Sequence, residues 1–490
     1  MPLTSLTDSP ARQAWADRVR QDLDFLGLPP TPWMHSHSLN GQAVDDVVII
    51  GAGMAGLTLA AALSHQGIRA VVLDRASAGL EGPWLTTARM ETLRSPKELT
   101  GPALGIASLT FRAWFVAQFG DSCWQALDKI PRVQWAEYLM SYRQVLQLDV
   151  HNDQEVMQVK PLNHHLVELS IQDHSGSQGR YWRHARRVIL ATGRDGLGAP
   201  WVPEWAYSLP RERWVHSADA WPHHRFKGLR VAVIGAGASA MDSAATALEH
   251  GAQRVDLLIR RAQMPRINKS KGSGSPGMTH GFWGLPDPWK WQIRHYINAQ
   301  QVPPPRNSTL RVSKHPQAHF HLGTQVQSAQ MQGQHILLYT SKGEWACDAL
   351  IFSTGFRNDW ASRDEFASFS SHVRLWQDRD EPHSGLEDRE LSESPDLGPL
   401  FEFQAKPGSN IPGLDRIHCF NHAATLSHGA VAGDIPQISD GAQRLAKGLA
   451  ASFLHEDIEH HFAKLQAYSD PELLGDEWVP FPWPNPDPTP

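Results

Sequence analysis

Two short glycine-rich segments are the parts of this 490-residue sequence whose residue types and spacing point most directly to chemistry. The first contains Gly51, Gly53 and Gly56 and lies between a hydrophobic run and an Ala/Leu-rich stretch. Glycines at this spacing allow a tight turn from strand to helix and let a pyrophosphate approach the positive end of the helix. A second hydrophobic run then ends in Asp74 and Arg75, where an acidic residue accepts hydrogen bonds from a ribose 2′-hydroxyl. The segment predicts a dinucleotide site.

The second glycine segment begins 184 residues after the first and repeats its plan. Its predicted contact residues are Gly235, Gly237, Ser239 and Ala240. The hydrophobic run that follows ends in Arg260 and Arg261, where the first unit has Asp74. A guanidinium binds a 2′-phosphate bidentately, whereas a carboxylate repels it. The first unit therefore suits FAD and the second suits NADPH, unless the two arginines are ordinary surface charges.

Two further segments predict how these units are connected. Each is a hydrophobic strand followed by Thr-Gly, and the predicted contact residues in them are Ala191, Thr192, Gly193, Thr354 and Gly355. A domain interrupted by another domain needs two such crossings, out and back. We therefore expect an α/β fold with two Rossmann-like dinucleotide-binding domains, the NADPH domain inserted in the FAD domain. The predicted regions are an N-terminal extension at 1–43, FAD domain at 44–215, NADPH domain at 216–345, FAD domain again at 346–477 and a Pro-rich tail at 478–490.

Composition narrows the class of protein. Hydrophobic residues make up 41% and charged residues 20%, as in a folded multi-domain protein, and the net charge of −6 gives no reason to expect nucleic acid. No apolar run reaches the roughly 18 residues that span a bilayer, and the N-terminus has no secretory signal pattern, so we expect a cytoplasmic protein. The three cysteines form no CxxC pair, and the 26 histidines show no metal-ligand spacing. No vicinal dithiol centre and no metal are expected.

The order of the motifs GAGxxG, GxW, ATG, HSxD, GAGxSA and STGF resembles the flavin-containing monooxygenase class. These are two-dinucleotide-domain flavoproteins with flavin-containing, N-hydroxylating and Baeyer–Villiger branches, and the resemblance covers about residues 44–450. It implies that Trp84, in a GGxW-like segment that lacks one glycine, lies beside the flavin and that the strand with Val156 touches the adenine. His216 and Ser217 match the segment that links the two domains, although only its second half is present.

The same resemblance extends to the C-terminal part of the chain. Residues 418–422 (HCFNH) resemble the strand that ends beside the flavin, and a Gly-Asp-Ile-Pro segment then leads into a helix. Asn421 and Asp434 are thus candidates to line the flavin, with ordinary turn residues as the open alternative. No catalytic acid, base or nucleophile stands out; His216, Ser217 and Asn421 are the inter-domain candidates.

The resemblance implies a function as well. In this class NADPH reduces FAD, O₂ adds at the flavin C4a position, and a nucleophilic nitrogen or sulfur of a small substrate takes up the distal oxygen. We expect N-hydroxylation, with S-oxidation also open. Ketone oxidation is less expected, because residues 85–99 lack the Tyr-Pro-Gly and acidic segment of the Baeyer–Villiger branch. A flavoprotein NADPH reductase and a non-catalytic nucleotide sensor stay open, as does a homo-oligomer.

Overall fold

The computed structural model of the chain describes residues 9–194, 196–379 and 385–483. The described strands are β1 (His37–Leu39), β2 (Gln42–Ile50), β3 (Ala70–Leu73), β4 (Val150–His151), β5 (Gln154–Pro161), β6 (Val167–Asp173), β7 (Arg180–Leu190), β8 (Gly198–Pro200), β9 (Trp214–His216), β10 (Arg230–Ile234), β11 (Arg254–Ile259), β12 (Ala318–Leu322), β13 (Val326–Gln332), β14 (His335–Thr340), β15 (Gly343–Cys347), β16 (Ala349–Phe352), β17 (Phe356–Asn358) and β18 (Ile417–Cys419). The described α-helices are α1 (Pro10–Phe25), α2 (Met54–Ser64), α3 (Phe111–Ala126), α4 (Arg132–Val145), α5 (Ala238–Glu249), α6 (Lys269–Gly272), α7 (Pro276–Gly281), α8 (Asp287–Gln300), α9 (Arg306–Ser313), α10 (Arg389–Ser392), α11 (Thr425–His428), α12 (Ile438–Glu456) and α13 (Ile458–Ala467).

The first sheet carries the first glycine segment. Its strand order is β4-β3-β2-β7-β6-β5, with β1 beside β2 and β18 beside β7. Strands β2, β3, β4, β18 and the second half of β7 run parallel, while β5, β6 and the first half of β7 form an antiparallel meander. The middle of β2, from Val47 to Ile49, is fully buried, as expected for a parallel strand covered on both faces. Helix α2 is buried almost all round because it packs against this sheet and against α12.

The N-terminal segment packs onto the core of the first sheet. On α1, Trp15, Val19 and Leu23 are buried at a spacing of four residues, which places them on one helix face. They belong to the same hydrophobic core as β2, and the Trp15 indole donates to the Ser108 carbonyl at 2.8 Å. The predicted extension at 1–43 is therefore continuous with the first core over its described residues.

The second sheet carries the second glycine segment and is entirely parallel, with strand order β12-β11-β10-β16-β9. Its outer strand β9 begins at Trp214, and β16 extends to Phe352. The sheet thus runs past both ends of the predicted range 216–345, because β16 must fill the place between β10 and β9 before the chain leaves. Strands β13, β14 and β15 form a separate antiparallel meander, and helices α6 to α9 lie between β11 and β12 in the chain.

The two crossings between the sheets lie side by side. Strand β8 follows β7, β17 follows β16, and the two pair antiparallel, with Gly198 opposite Asn358 and Pro200 opposite Phe356. Gly198 packs on the Arg357 carbonyl, so a Cβ there would overlap that oxygen. The carboxyl ends of both parallel sheets therefore lead into one ribbon.

The C-terminal segment after α13 has neither helix nor strand up to residue 483, where the described part ends. Its aromatic side chains Trp478, Phe481 and Trp483 are exposed. The remainder of the predicted Pro-rich tail lies outside the described residues.

Candidate cofactor and substrate site

The first glycine loop requires glycine at two positions. Gly51 has a φ of +106°, and a Cβ there would lie 2.5 Å from the carbonyl oxygen of Ala191. Its amide donates to the Leu73 carbonyl at 2.8 Å, while the Ala191 amide donates to the Ile50 carbonyl at 2.9 Å. Gly56 lies directly over the Gly51 carbonyl, which a Cβ would overlap. The loop is therefore held tightly between β2, β3 and the end of β7.

Gly53 is placed differently, at the mouth of the loop. Its φ of −67° suits any residue, and the atom nearest to a Cβ there would be the Gly82 Cα at 3.9 Å. It is the N-cap of α2 and offers no side chain to the first helical amides. A narrow cleft opens beside it, with Trp84 and Arg143 among its lining residues. Open space over an uncapped helix N-terminus fits the pyrophosphate of FAD.

The other predicted contacts of the first unit border this loop. The two carboxylate oxygens of Asp74 accept from the amides of Ala52 at 2.7 Å and Ala76 at 2.8 Å. Each carboxylate oxygen can accept a second hydrogen bond, so Asp74 ties the loop to the end of β3 and keeps capacity for a ribose hydroxyl. Arg75 is exposed beside it, and Val156 lies half-buried on β5 against the first core.

Trp84 is held by its surroundings. Its backbone carbonyl accepts from Arg132 at the start of α4, and its ring meets Trp135 edge-on with centroids 6.3 Å apart. This contact fixes an aromatic face in the lining of the cleft beside Gly53.

The second glycine loop has the same backbone hydrogen bonds as the first glycine loop. Gly235 has a φ of +138° and lies against the Ser353 carbonyl as Gly51 lies against that of Ala191. The Gly235 amide donates to the Leu258 carbonyl at 3.3 Å, and the Ser353 amide donates to the Ile234 carbonyl at 2.9 Å. The chain thus builds the same cradle twice.

The start of α5 is the open side of this second cradle. Gly237 is its N-cap, and a Cβ there would meet nothing within 4 Å. Ser239 is exposed, and Ala240 is buried. At the end of β11, the Arg260 side chain is exposed, whereas Arg261 donates to the Ala299 carbonyl of α8 at 3.0 Å. These residues fit a dinucleotide whose 2′-phosphate lies near Arg260.

The two Thr-Gly segments are brought to the crossing ribbon. The Thr192 hydroxyl accepts from the buried Asn421 amide at 3.2 Å, and Asn421 also donates to the Leu190 carbonyl at 3.3 Å. The Asn421 carbonyl oxygen accepts from the Ala423 amide at 3.0 Å. Asn421 therefore joins the ends of β7 and β18, and its polar atoms are engaged within the protein. Thr354 donates to the Trp201 carbonyl of the opposite crossing.

Gly193 and Gly355 stand beside these contacts, each with a positive φ, +84° and +89°. The Gly193 carbonyl accepts from the His422 amide at 3.3 Å, and the Gly355 carbonyl accepts from the Trp201 amide at 2.9 Å. Both glycines thus sit at bends where the chain leaves a parallel strand.

His216 and Ser217 lie at the end of β9. His216 is buried, and its Nδ1 accepts from the Ala218 amide at 3.1 Å. Arg89, which the sequence did not single out, donates to the Ser217 and Asp219 carbonyls, both at 2.8 Å. Its guanidinium also lies 3.7 Å from the centre of the Trp221 ring. Arg89 thus connects the segment after Trp84 to the second sheet.

A set of charged side chains that the sequence did not reveal lies near the end of β7. We call it the arginine recess and define it by Arg194, Arg294, Glu390 and His422. Burial lowers the pKa of Arg194 and of Arg294, and the Glu390 carboxylate opposes this in both. Burial and these two arginines hold the pKa of His422 well below its usual range, so His422 is neutral near pH 7. Solvent nevertheless reaches the Arg194 and Glu390 side chains.

Asp434 lies close to this recess. The preceding Gly433 packs against His422, whose Cα would be 3.6 Å from a Cβ at position 433. The Asp434 side chain is exposed, yet its surroundings desolvate it and raise the pKa of its carboxyl. It precedes the short turn that leads into α12.

The cysteines offer no thiol centre. Cys123 is exposed, Cys347 and Cys419 are buried, and all three are free. Burial raises the pKa of Cys347 to about 12 and raises that of Cys419 further. Over the described ranges, no group of side chains could hold a metal ion, and no helix is long and apolar enough to cross a membrane.

Comparison with known proteins gives relatives for the chain. Residues 48–283 match the family model of the pyridine nucleotide-disulphide oxidoreductases. An FAD-dependent urate hydroxylase of Xanthomonas campestris pv. campestris is 33% identical over 478 residues, which cover 96% of this chain and 97% of that protein. The ornithine hydroxylase of Pseudomonas aeruginosa superposes with a TM-score of 0.64 at 16% identity, over 83% of this chain and 99% of its own. The L-lysine 6-monooxygenase of Pseudomonas syringae gives 0.61 at 16% identity, over 84% and 99%. The predicted fold class is confirmed.

Proposed function

Because this chain belongs to the flavin-containing monooxygenase class of FAD- and NADPH-dependent flavoproteins, we propose that it hydroxylates a small nitrogen-containing substrate, with urate as the first candidate. The sequence-based predictions of an enzyme and of both cofactors are confirmed. Urate is the substrate in the name of the relative that aligns over almost the whole chain. The N-hydroxylation of an amine expected from the sequence is the second candidate.

The duplicated glycine cradle is the observation that supports this function. Each cradle stands at the carboxyl end of a parallel sheet, and both sheets lead into the β8–β17 ribbon. Two nucleotides bound at these loops would therefore approach each other across the crossings, as transfer of electrons from NADPH to FAD requires.

Bound FAD would supply the oxygen chemistry, with NADPH as the electron source. One atom of O₂ enters the substrate, and the other leaves as water with the two electrons from NADPH. The chain's own residues position the parts: Gly53 and Gly237 leave room for pyrophosphates, Arg89 holds the second domain to the first, and Asn421 fixes the ends of β7 and β18.

The test is NADPH oxidation by the FAD-loaded protein with urate and, in parallel, with primary amines under ¹⁸O₂. A hydroxylase gives a product carrying one ¹⁸O atom in proportion to the NADPH consumed. A flavoprotein reductase would oxidise NADPH with an artificial acceptor and leave every candidate substrate unlabelled. That result would refute the proposal.

A further inference from the structure

We propose that Arg89 and Arg311 form a clasp that fixes the second domain on the first and thereby sets the rate at which NADPH reduces FAD. Both are positioning residues, because their contacts are with the protein itself. The inference goes beyond the proposed function, since it holds for any substrate. In the step concerned, NADPH gives up a hydride, which carries two electrons, and becomes NADP⁺, while FAD takes up the hydride and becomes the reduced flavin anion.

The segment 84–91, which carries the first arginine of the clasp, belongs to the first domain. It begins at Trp84, in the lining of the cleft at the first glycine loop. Arg132 of α4 holds both ends of the segment, because its guanidinium donates to the Trp84 carbonyl and, at 2.9 Å, to the Met90 carbonyl. The Arg132 amide also donates to the Glu91 carbonyl at 3.0 Å. A displacement at the far end of the segment would therefore be transmitted to Trp84.

The Arg89 side chain reaches from this segment into the second domain. Its guanidinium donates to the Ser217 and Asp219 carbonyls, both at 2.8 Å, just after β9. It also donates to the Thr87 carbonyl of its own segment at 2.8 Å. The face of the guanidinium lies 3.7 Å from the centre of the Trp221 ring. One planar cation thus joins the two domains through hydrogen bonds and a cation–π contact.

Arg311 of α9 reaches back from the second domain to the same residue. Its Nη1 donates to the Arg89 carbonyl at 3.2 Å, and its Nε lies 3.5 Å from the Glu91 carboxylate. Within its own domain, Arg311 donates to both carboxylate oxygens of Glu249 on α5, at 3.1 and 2.7 Å. The Arg311 side chain is only 11% exposed. A bidentate pair that is shielded from solvent fixes the direction of the guanidinium better than a surface pair does.

The clasp holds the second sheet itself. Trp221, which Arg89 contacts, and Val312, which follows Arg311 on α9, both belong to the hydrophobic core of that sheet. The other connection described above, the β8–β17 ribbon, has only two strands, and a two-stranded ribbon is marginally stable by itself. Each glycine cradle lies on one sheet, so a loosened clasp should change the distance between the two cofactors more than the affinity for either.

The first experiment is anaerobic stopped-flow reduction of the bound FAD at saturating NADPH, without substrate. Arg89→Gln and Arg311→Gln should each lower the limiting rate about ten- to a hundred-fold, because a misplacement of about 1 Å between reacting groups can have an effect of this size. The Kd for NADP⁺, from equilibrium titration, and the rate of FAD reduction by dithionite should stay as in the wild type. Arg306→Gln, at the exposed start of α9, is the matched control and should reduce FAD at the wild-type rate.

The second experiment measures amide hydrogen exchange in the cofactor-free protein. Both glutamine variants should exchange faster than the wild type in residues 84–91 and 217–221 and unchanged in β2, whereas Arg306→Gln should match the wild type throughout. Unchanged exchange in the two segments would overturn the clasp. So would wild-type limiting rates, or a loss of rate that weaker NADP⁺ binding or equally slow dithionite reduction explains.

Arg311→Lys keeps the positive charge and replaces the glutamine variant if that variant does not load FAD. Its limiting rate should still fall below that of the wild type, because one ammonium group cannot bind Glu249 bidentately and reach the Arg89 carbonyl as well. A wild-type rate in Arg311→Lys would overturn the assignment of Arg311. Because neither experiment contains substrate, a failure of urate or of amines to take up ¹⁸O would refute the proposed function and leave the clasp standing.

Discussion

Gly53→Ala separates the cofactor role of the first glycine loop from its structural role. A methyl group at position 53 enters open space, because no protein atom lies nearer than 3.9 Å and the backbone angle is ordinary. The free energy of unfolding of the apoprotein should change by no more than about 0.5 kcal/mol. The methyl group would project where a pyrophosphate approaches the α2 amides, so the Kd for FAD should rise at least about ten-fold, or about 1.4 kcal/mol. Gly53→Val should yield colourless protein.

Gly51→Ala is the matched comparison for this prediction. Its φ of +106° costs about 1–2 kcal/mol for a residue with a Cβ, and the Ala191 carbonyl only 2.5 Å away adds to that. The apoprotein itself should therefore lose stability, which lowers the urea concentration at its unfolding midpoint. The assays are urea unfolding of the apoproteins and FAD titration followed by flavin fluorescence. A Gly53→Ala protein that keeps both the flavin content and the FAD affinity of the wild type would refute the placement of the pyrophosphate.

The remaining predictions concern NADPH choice, thiols and acid stability. Arg260→Ala should raise the KM for NADPH about ten- to a hundred-fold and leave the KM for NADH unchanged. Arg261→Ala should have a smaller effect on the KM for NADPH, because the Arg261 guanidinium is held by α8. A wild type that uses NADH as well as NADPH would contradict this prediction. Replacing all three cysteines with serine should preserve turnover and lower the free energy of unfolding by about 1–3 kcal/mol. Loss of turnover in the folded, FAD-loaded variant would instead support a dithiol mechanism. Burial alone would raise the pKa of Glu456, but Arg187 and Arg416 lower this pKa to about 2. The stability that the Glu456 carboxylate contributes is therefore present above pH 4.5 and is lost as the pH falls toward 2. Glu456→Gln should lower the free energy of unfolding by about 1–3 kcal/mol at pH 7, and this free energy should then fall less steeply with acid than in the wild type. The measurement is urea unfolding from pH 7 to 2.5, and a pH dependence parallel to that of the wild type would disprove the prediction.

The backbone features of the fold could be predicted from the sequence because only glycine permits them. Gly51 and Gly235 occupy φ values closed to other residues, so their spacing reports a backbone geometry directly. The two crossings could be predicted from the Thr-Gly segments because Gly193 and Gly355 also have positive φ values at the bends that leave a parallel strand. The predicted boundary at 345 differs from the observed end of the second sheet, which extends through β16 to Phe352. A short buried strand such as β16 has the same sequence pattern whether it completes one sheet or begins another. Only the pairing with β10 and β9 assigns it to the second sheet.

The arginine recess was out of reach of sequence reasoning because no local pattern encodes it. Arg194, Arg294 and Glu390 lie in three separate segments, each of which alone resembles a surface charge. Their surroundings arise only in the fold, where α8 and α10 pack together through Trp291 and Leu391. Arg89 was missed similarly, since its contacts with Ser217 and Asp219 join segments about 130 residues apart.

No acid–base pair stands out in the sequence, and several candidate polar groups form hydrogen bonds within the protein. The Asn421 amide joins the ends of two strands, Asp74 accepts from loop amides, and the His216 Nδ1 accepts from a backbone amide. In a flavin enzyme the cofactor carries the demanding chemistry, and the protein contributes orientation and a suitable electrostatic environment. Substitutions at these positions should therefore act through cofactor affinity and through the fraction of NADPH oxidation coupled to product.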